Sequence, residues 1–148
     1  MKRSILGLFI SLLCIVLIST SCCDCRQRRK LEKPLVGTTW QLVQIMARDV
    51  QPTDESYTLL FHDDNLVSGM GDCNRFTATY AVTSSRSLDI VNLGSTRRLC
   101  PNADAETEFF TLLESVTHYE MDADMMLLLR DGTLVAIFKA CDAEPTEK

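Results

Sequence analysis

The sequence is poor in the residues that carry out chemistry near neutral pH. It holds only two histidines, His62 and His118, in 148 residues. His62 stands beside Asp63 and Asp64 in a polar turn-like stretch, and His118 opens an expected strand. No G-x-S-x-G, H-E-x-x-H or glycine-rich phosphate loop occurs, which removes the nucleophile elbow, the zinc protease pair and the nucleotide cradle. Positive charge is not in excess either. Fifteen Lys and Arg against twenty Asp and Glu give −5, the wrong balance for nucleic acid. No catalytic residue, cofactor or nucleic-acid partner is therefore expected. There is no internal repeat and no low-complexity tract.

A long apolar run is also missing. Ile5 to Ile18 gives 14 residues, short of the roughly 20 a permanent span needs. Lys2 and Arg3 precede this run and Ser19, Thr20 and Ser21 follow it, which is the pattern of a secretory signal over 1–21. The junction resembles a bacterial lipoprotein signal, with Cys22 as the lipid-modified first residue of the mature chain. It departs from that pattern in having Ser19 where Leu is usual, and Cys23 is a second acceptor. The thiol is what the lipidation chemistry needs, since a hydroxyl is a far poorer nucleophile at neutral pH. An uncleaved anchor competes, because Arg26, Arg28, Arg29 and Lys30 put more positive charge after the run than before it. Loss of 1–21 would remove two of the fifteen basic residues and no acid, moving the net charge from −5 to −7. Residues 22–35 read as a flexible tether ending near Pro34, 36–141 as one domain, and 142–148 as a disordered tail.

Seven cysteines must be placed. Cys14 lies in the signal, and Cys22, Cys23 and Cys25 crowd the lipidation site. Cys73, Cys100 and Cys141 belong to the domain. An exported domain meets an oxidising compartment, so a Cys73–Cys100 disulfide is the first expectation. Zinc competes poorly, because the three domain cysteines form no C-x-x-C pair, neither histidine lies at ligand spacing to a cysteine, and CCDC at 22–25 reads as an acylation site with spare thiols rather than a metal box. Asp63-Asp64 and Asp122/Asp124 read as turn carboxylates, and no metal is expected.

Through the domain the period is mostly two, the spacing of half-buried strands. Trp40 and Leu42 share a face, as do Tyr57, Leu59 and Phe61. In FTATYAV, Phe76, Ala78, Tyr80 and Val82 are expected inward and Thr77 and Thr79 outward. Beyond Pro101 the period becomes helical: Phe109, Leu112, Leu113 and Val116 form one stripe. Asn102 is placed to cap the helix, and Asp104, Glu106 and Glu108 to complement its dipole. Asp131-Gly132 between two apolar runs predicts a type I′ hairpin. The fold class is mainly β (α+β): an antiparallel meander of about seven to eight strands, forming a barrel or half-barrel, with one helix packed on it.

Gly71-Asp72-Cys73-Asn74-Arg75-Phe76, with Tyr80, Ser95-Thr96-Arg97-Arg98-Leu99-Cys100 and Glu108-Phe109 in a helix, resembles the META domain family, whose bacterial members include HslJ-like proteins. Trp40 fits the tryptophan near the start of that pattern. The resemblance covers roughly 36–140, and lipoprotein signals are common in the family. It implies a barrel-like β fold carrying a helix and implies no activity. Gly69 and Gly71 are expected to permit a bulge or a close approach, and Asn74 to adopt left-handed backbone or bond its neighbours. Arg75 and Arg97 are expected to fork onto carboxylates or carbonyls. With Asn74 and Thr96 they would form either a polar clasp fixing two loops or a patch for an anionic or peptide ligand. The reading is a non-catalytic, lipid-anchored envelope protein, facing the periplasm or the cell surface from the outer membrane. Such a protein would support envelope integrity or stress tolerance by binding. Its partners would be the membrane, through the N-terminal lipid, and an envelope protein. The alternative is a carrier or sensor holding a hydrophobic ligand or peptide in a barrel cavity lined by Phe76, Tyr80 or Leu88.

Overall fold

The structure, a computed structural model, describes residues 32–53 and 55–141. The signal segment, Cys22, Cys23, Cys25, most of the tether and the tail 142–148 lie outside the described residues.

Nine antiparallel strands form one sheet: β1 (Thr39–Ile45), β2 (Arg48–Asp49), β3 (Thr58–Phe61), β4 (Leu66–Met70), β5 (Arg75–Val82), β6 (Leu88–Ser95), β7 (His118–Asp122), β8 (Met125–Arg130) and β9 (Thr133–Ala140). One helix, α1 (Ala103–Glu114), joins β6 to β7. The sheet order is β6-β5-β4-β3-β1-β9-β8-β7, with the two-residue β2 paired only to β1. Two meanders, β3 to β6 and β7 to β9, are thus joined by the first and last strands. The sheet curls but does not close. Its edges meet only where β6 and β7 begin, through a Ser87–His118 bridge and the Leu88 N–H donating to the Thr117 carbonyl at 3.0 Å. The helix packs on the sheet, its Phe109 and Phe110 rings against Phe76 of β5.

The alternating residues fill the interior. Trp40, Leu42, Phe61, Phe109, Met126 and Phe138 all belong to one buried cluster. The Trp40 indole N–H, which cannot be left unpaired there, donates to the Leu35 carbonyl at 3.1 Å. All four residues of the helical stripe are buried, so it is a core face. Asp131 and Gly132 have φ of +49° and +79° between paired Arg130 and Thr133, the conformation a type I′ turn demands.

Two expectations need correcting. Val82 is 42% exposed although it keeps the inward parity, because it lies past the last core layer where β5 runs out into the turn at 83–87. Asn102 occupies the N-cap position, but its side chain caps nothing and instead donates to Asp72 Oδ1 at 3.4 Å.

Candidate functional site

The shared motif residues converge where β4 ends, β5 begins, β6 ends and α1 starts. Cys73 and Cys100 are joined in a disulfide with Cα atoms 6.0 Å apart, tying the β4–β5 turn to the loop before the helix. Beneath the bridge lies Asn74, buried, with every polar atom of its amide in use. Its Oδ1 accepts from the Thr96 hydroxyl at 2.8 Å and the Arg98 N–H at 2.7 Å. Its Nδ2 donates to Glu106 Oε2 at 2.6 Å and to the Arg98 carbonyl at 3.2 Å. Reversing the amide would set its NH₂ against the Arg98 N–H, so the network fixes the orientation.

Glu106 is the group that the sequence reading misplaced. It is not a surface charge at the helix start but is buried, 6% exposed. Its Oε1 accepts from the Cys73 N–H at 3.0 Å and the Asn74 N–H at 2.8 Å. Burial alone would raise its carboxyl, yet the hydrogen bonds from Asn74, Cys73 and Asp72 outweigh burial and hold it below the ordinary glutamate value. The sequence did carry a signal: residue 106 precedes Phe109 by three and Leu113 by seven, which places a carboxylate on the apolar stripe. Of its neighbours, Glu108 pairs at the surface with Arg48 Nη2 at 2.5 Å, and Asp104 is exposed.

Glycine is needed at 71 because a Cβ there would stand 2.5 Å from Glu106 Oε1 and 2.8 Å from the Phe110 ring. At Gly69 a Cβ would collide with the Thr58 carbonyl and the Phe76 ring. Both are close approaches, and the β3–β4 and β4–β5 registers carry no bulge. Phe76 ties the strand to the helix, with ring centroids 5.3 Å from Phe110 and 6.2 Å from Phe109. Tyr57 adopts φ +53°, costly for a bulky side chain. There its N–H meets the Gly71 carbonyl at 3.0 Å and its ring stands edge-on to Phe109 at 5.2 Å. Burial, reinforced by the charges of Asp72 and Glu106, pushes its phenol up to about 12.

The clasp expected of Asn74 and Thr96 is present, while the left-handed backbone allowed for Asn74 and the forks expected of the arginines are not. Asn74 is not among the left-handed residues, because its amide is spent on the loop 96–98 and the helix rather than on its own turn. Arg75 and Arg97 are exposed and have no side-chain hydrogen bond or ion pair among the described residues. Arg75 contributes its backbone: its N–H donates to the Thr96 hydroxyl at 3.2 Å and its carbonyl accepts from the Thr96 N–H at 3.0 Å. The structure therefore brings Gly71, Cys73, Asn74, Phe76, Thr96 and Cys100 together around Glu106 and leaves both guanidinium groups outside.

Among the described residues, one set of three side chains has metal-ligand atoms within 4.8 Å of one another: Cys73, Cys100 and Glu106. Its two sulfurs are consumed by the disulfide and its carboxylate by three N–H donors, so this donor set does not fit a metal in the oxidised protein. His62, which accepts or donates at 2.8 Å with Ser68 Oγ, and His118, 3.1 Å from Thr117 Oγ1, lie in other parts of the sheet.

With this geometry in place, three comparisons bear on it. The META domain family model matches residues 33–142. No curated protein matches the chain. Among solved structures, a protein determined by NMR is similar at 18% identity and a TM-score of 0.56, over 69% of this chain and 87% of its own. A protein from Burkholderia xenovorans, also determined by NMR, is similar at 24% identity and a TM-score of 0.56, over 74% and 85%. Both likenesses bear on the fold alone.

Proposed function

The chain belongs to the META domain family, and on that premise we propose that it is a non-catalytic cell-envelope protein, lipid-anchored at Cys22, whose domain works by binding. One observation carries the non-catalytic part. The buried carboxylate at the family motif accepts from three N–H donors, and its pKa moves down, away from the range where a general acid or base would be poised. No buried side-chain polar atom among the described residues lacks a partner. A site built this way fixes loops and has nothing left over for a substrate.

The disulfide favours an oxidising compartment. The signal pattern, and Cys22 followed by Cys23, favour an outer-membrane lipoprotein facing the periplasm or the cell surface. The partners on this reading are the membrane and an envelope component. A carrier role is less favoured, because Phe76, Tyr80 and Leu88 pack into the core rather than around an empty chamber.

Palmitate labelling tests the reading. The wild-type chain should take label and fractionate with the outer membrane, and a Cys22→Ala, Cys23→Ala chain should do neither. Labelling that survives the double substitution would overturn the anchor. An activity abolished by Glu106→Gln in a chain that still folds would overturn the non-catalytic assignment.

A further inference from the structure

The loop that the clasp holds is the most unusual surface of the domain. Residues 96–99 are all exposed, and Leu99 is bare of any covering group. This apolar side chain directly follows Arg97 and Arg98 in the chain, with Arg75 on the adjoining strand end. Residues 36–141 contain seven basic side chains. Arg48, Arg86 and Lys139 are ion-paired to Glu108, Glu32 and Asp124. Arg130 stands apart on β8. The other three cluster here, unpaired among the described residues, on an otherwise acidic domain.

The loop is also rigid and directed. The Thr96 hydroxyl, the Arg98 N–H and the Arg98 carbonyl are bound to Asn74, and Cys100 is bridged to Cys73. The described chain starts at the other pole. Glu32 pairs with Arg86 in the β5–β6 turn, and Val36 lies beside Phe61 at the end of β3. Cys141 leaves next to Thr39 at that same pole. Arg75 and Thr96 lie at the far end of the β5–β6 hairpin, eight residues away along β5, or about 25 Å.

We propose that the loop 96–100 is a docking tip for an anionic lipid surface, facing away from the end by which the chain is tethered. Its four exposed residues, 96–99, form no enclosing wall of their own, which suits a headgroup layer better than a small ligand. A single apolar side chain beside cations matches the apolar and charged requirements of such an interface. The acidic body confines contact to the tip. This rests on the reading of the chain as membrane-anchored, for then tether and tip meet two different bilayers.

Vesicle bridging tests it. The full chain is placed in phosphatidylcholine vesicles, and acceptor vesicles of either phosphatidylcholine or phosphatidylcholine with phosphatidylglycerol are added. Clustering is expected with the anionic acceptors alone. It should fall roughly tenfold or more in Arg97→Ser, Arg98→Ser, and also in Leu99→Ser and at high salt. Clustering that ignores these substitutions, or that neutral acceptors match, would overturn the proposal. So would absent clustering by a chain that floats with its donor vesicles. If the chain fails to float with the donors, the anchoring reading fails instead. The tip is then tested directly by adding a Leu99→Trp chain to the anionic vesicles: a blue-shifted emission supports the proposal and an unchanged one ends it. Retention on an immobilised acidic peptide with no response to vesicles would assign the tip to a protein and overturn the lipid reading.

Discussion

The curled sheet is fastened at its two poles by different chemistry. At one pole a disulfide, a buried amide and a buried carboxylate join two loops to the helix. At the other, the edges of β6 and β7 meet through backbone groups: Leu88 to Thr117 at 3.0 Å, and Tyr119 to Arg86 at 3.0 Å. The first fastening depends on particular side chains and therefore tolerates little. The second depends on peptide groups that every residue supplies.

Substitutions should separate the two. The largest effect is expected from Asn74→Asp, which replaces the donor to Glu106 with a second carboxylate. It should cost about 3–5 kcal/mol in urea unfolding, by analogy with breaking a buried charged pair. Next, Cys73→Ser with Cys100→Ser opens a loop spanning 27 residues of separation, at about 3–4 kcal/mol on the chain-entropy account. Gly71→Ala forces its methyl onto the Glu106 carboxylate and should cost about 1–3 kcal/mol by overpacking.

Glu106→Gln sharpens the comparison through pH. The folded carboxyl sits below its unfolded value, so its stabilisation is complete above the unfolded pKa of about 4.3 and fades as pH falls through the folded value. The variant should lose that acid-sensitive component and show a flatter thermal stability profile below pH 5. The smallest effect is expected at the opposite pole, where His118→Ala should stay within about 0.5 kcal/mol because the bridge there is made by the main chain. A loss at His118 as large as that at Asn74 would erase the distinction between the poles.

The same contrast explains what was legible in the sequence. The disulfide, the Asp131-Gly132 turn, the helical stripe and the strands around Phe76 could be read because each depends on residue type at fixed spacing. The role of Glu106 was hidden by two other acids in its vicinity, Asp104 and Glu108, which stay near the surface. Its burial depends on N–H groups of a turn more than thirty residues away, which no local pattern displays. Arg75 and Arg97 misled for the converse reason. Their chemistry suits forked pairing, but the clasp is made by Asn74 and by backbone groups, and both guanidinium groups stay exposed. The meeting of β6 with β7 left no mark in the sequence, since peptide groups are common to all residues. The two-residue β2 is too short to show a period at all.

The strand order has a bearing on synthesis. β1, the first strand made, sits mid-sheet between β3 and β9, the last. Until residues 133–140 have left the ribosome, one flank of β1 lacks its neighbour and Trp40 has no Ala140 across from it. A nascent chain with that vacancy is incomplete over nearly its whole length, so the finished sheet can assemble only once the last strand is available.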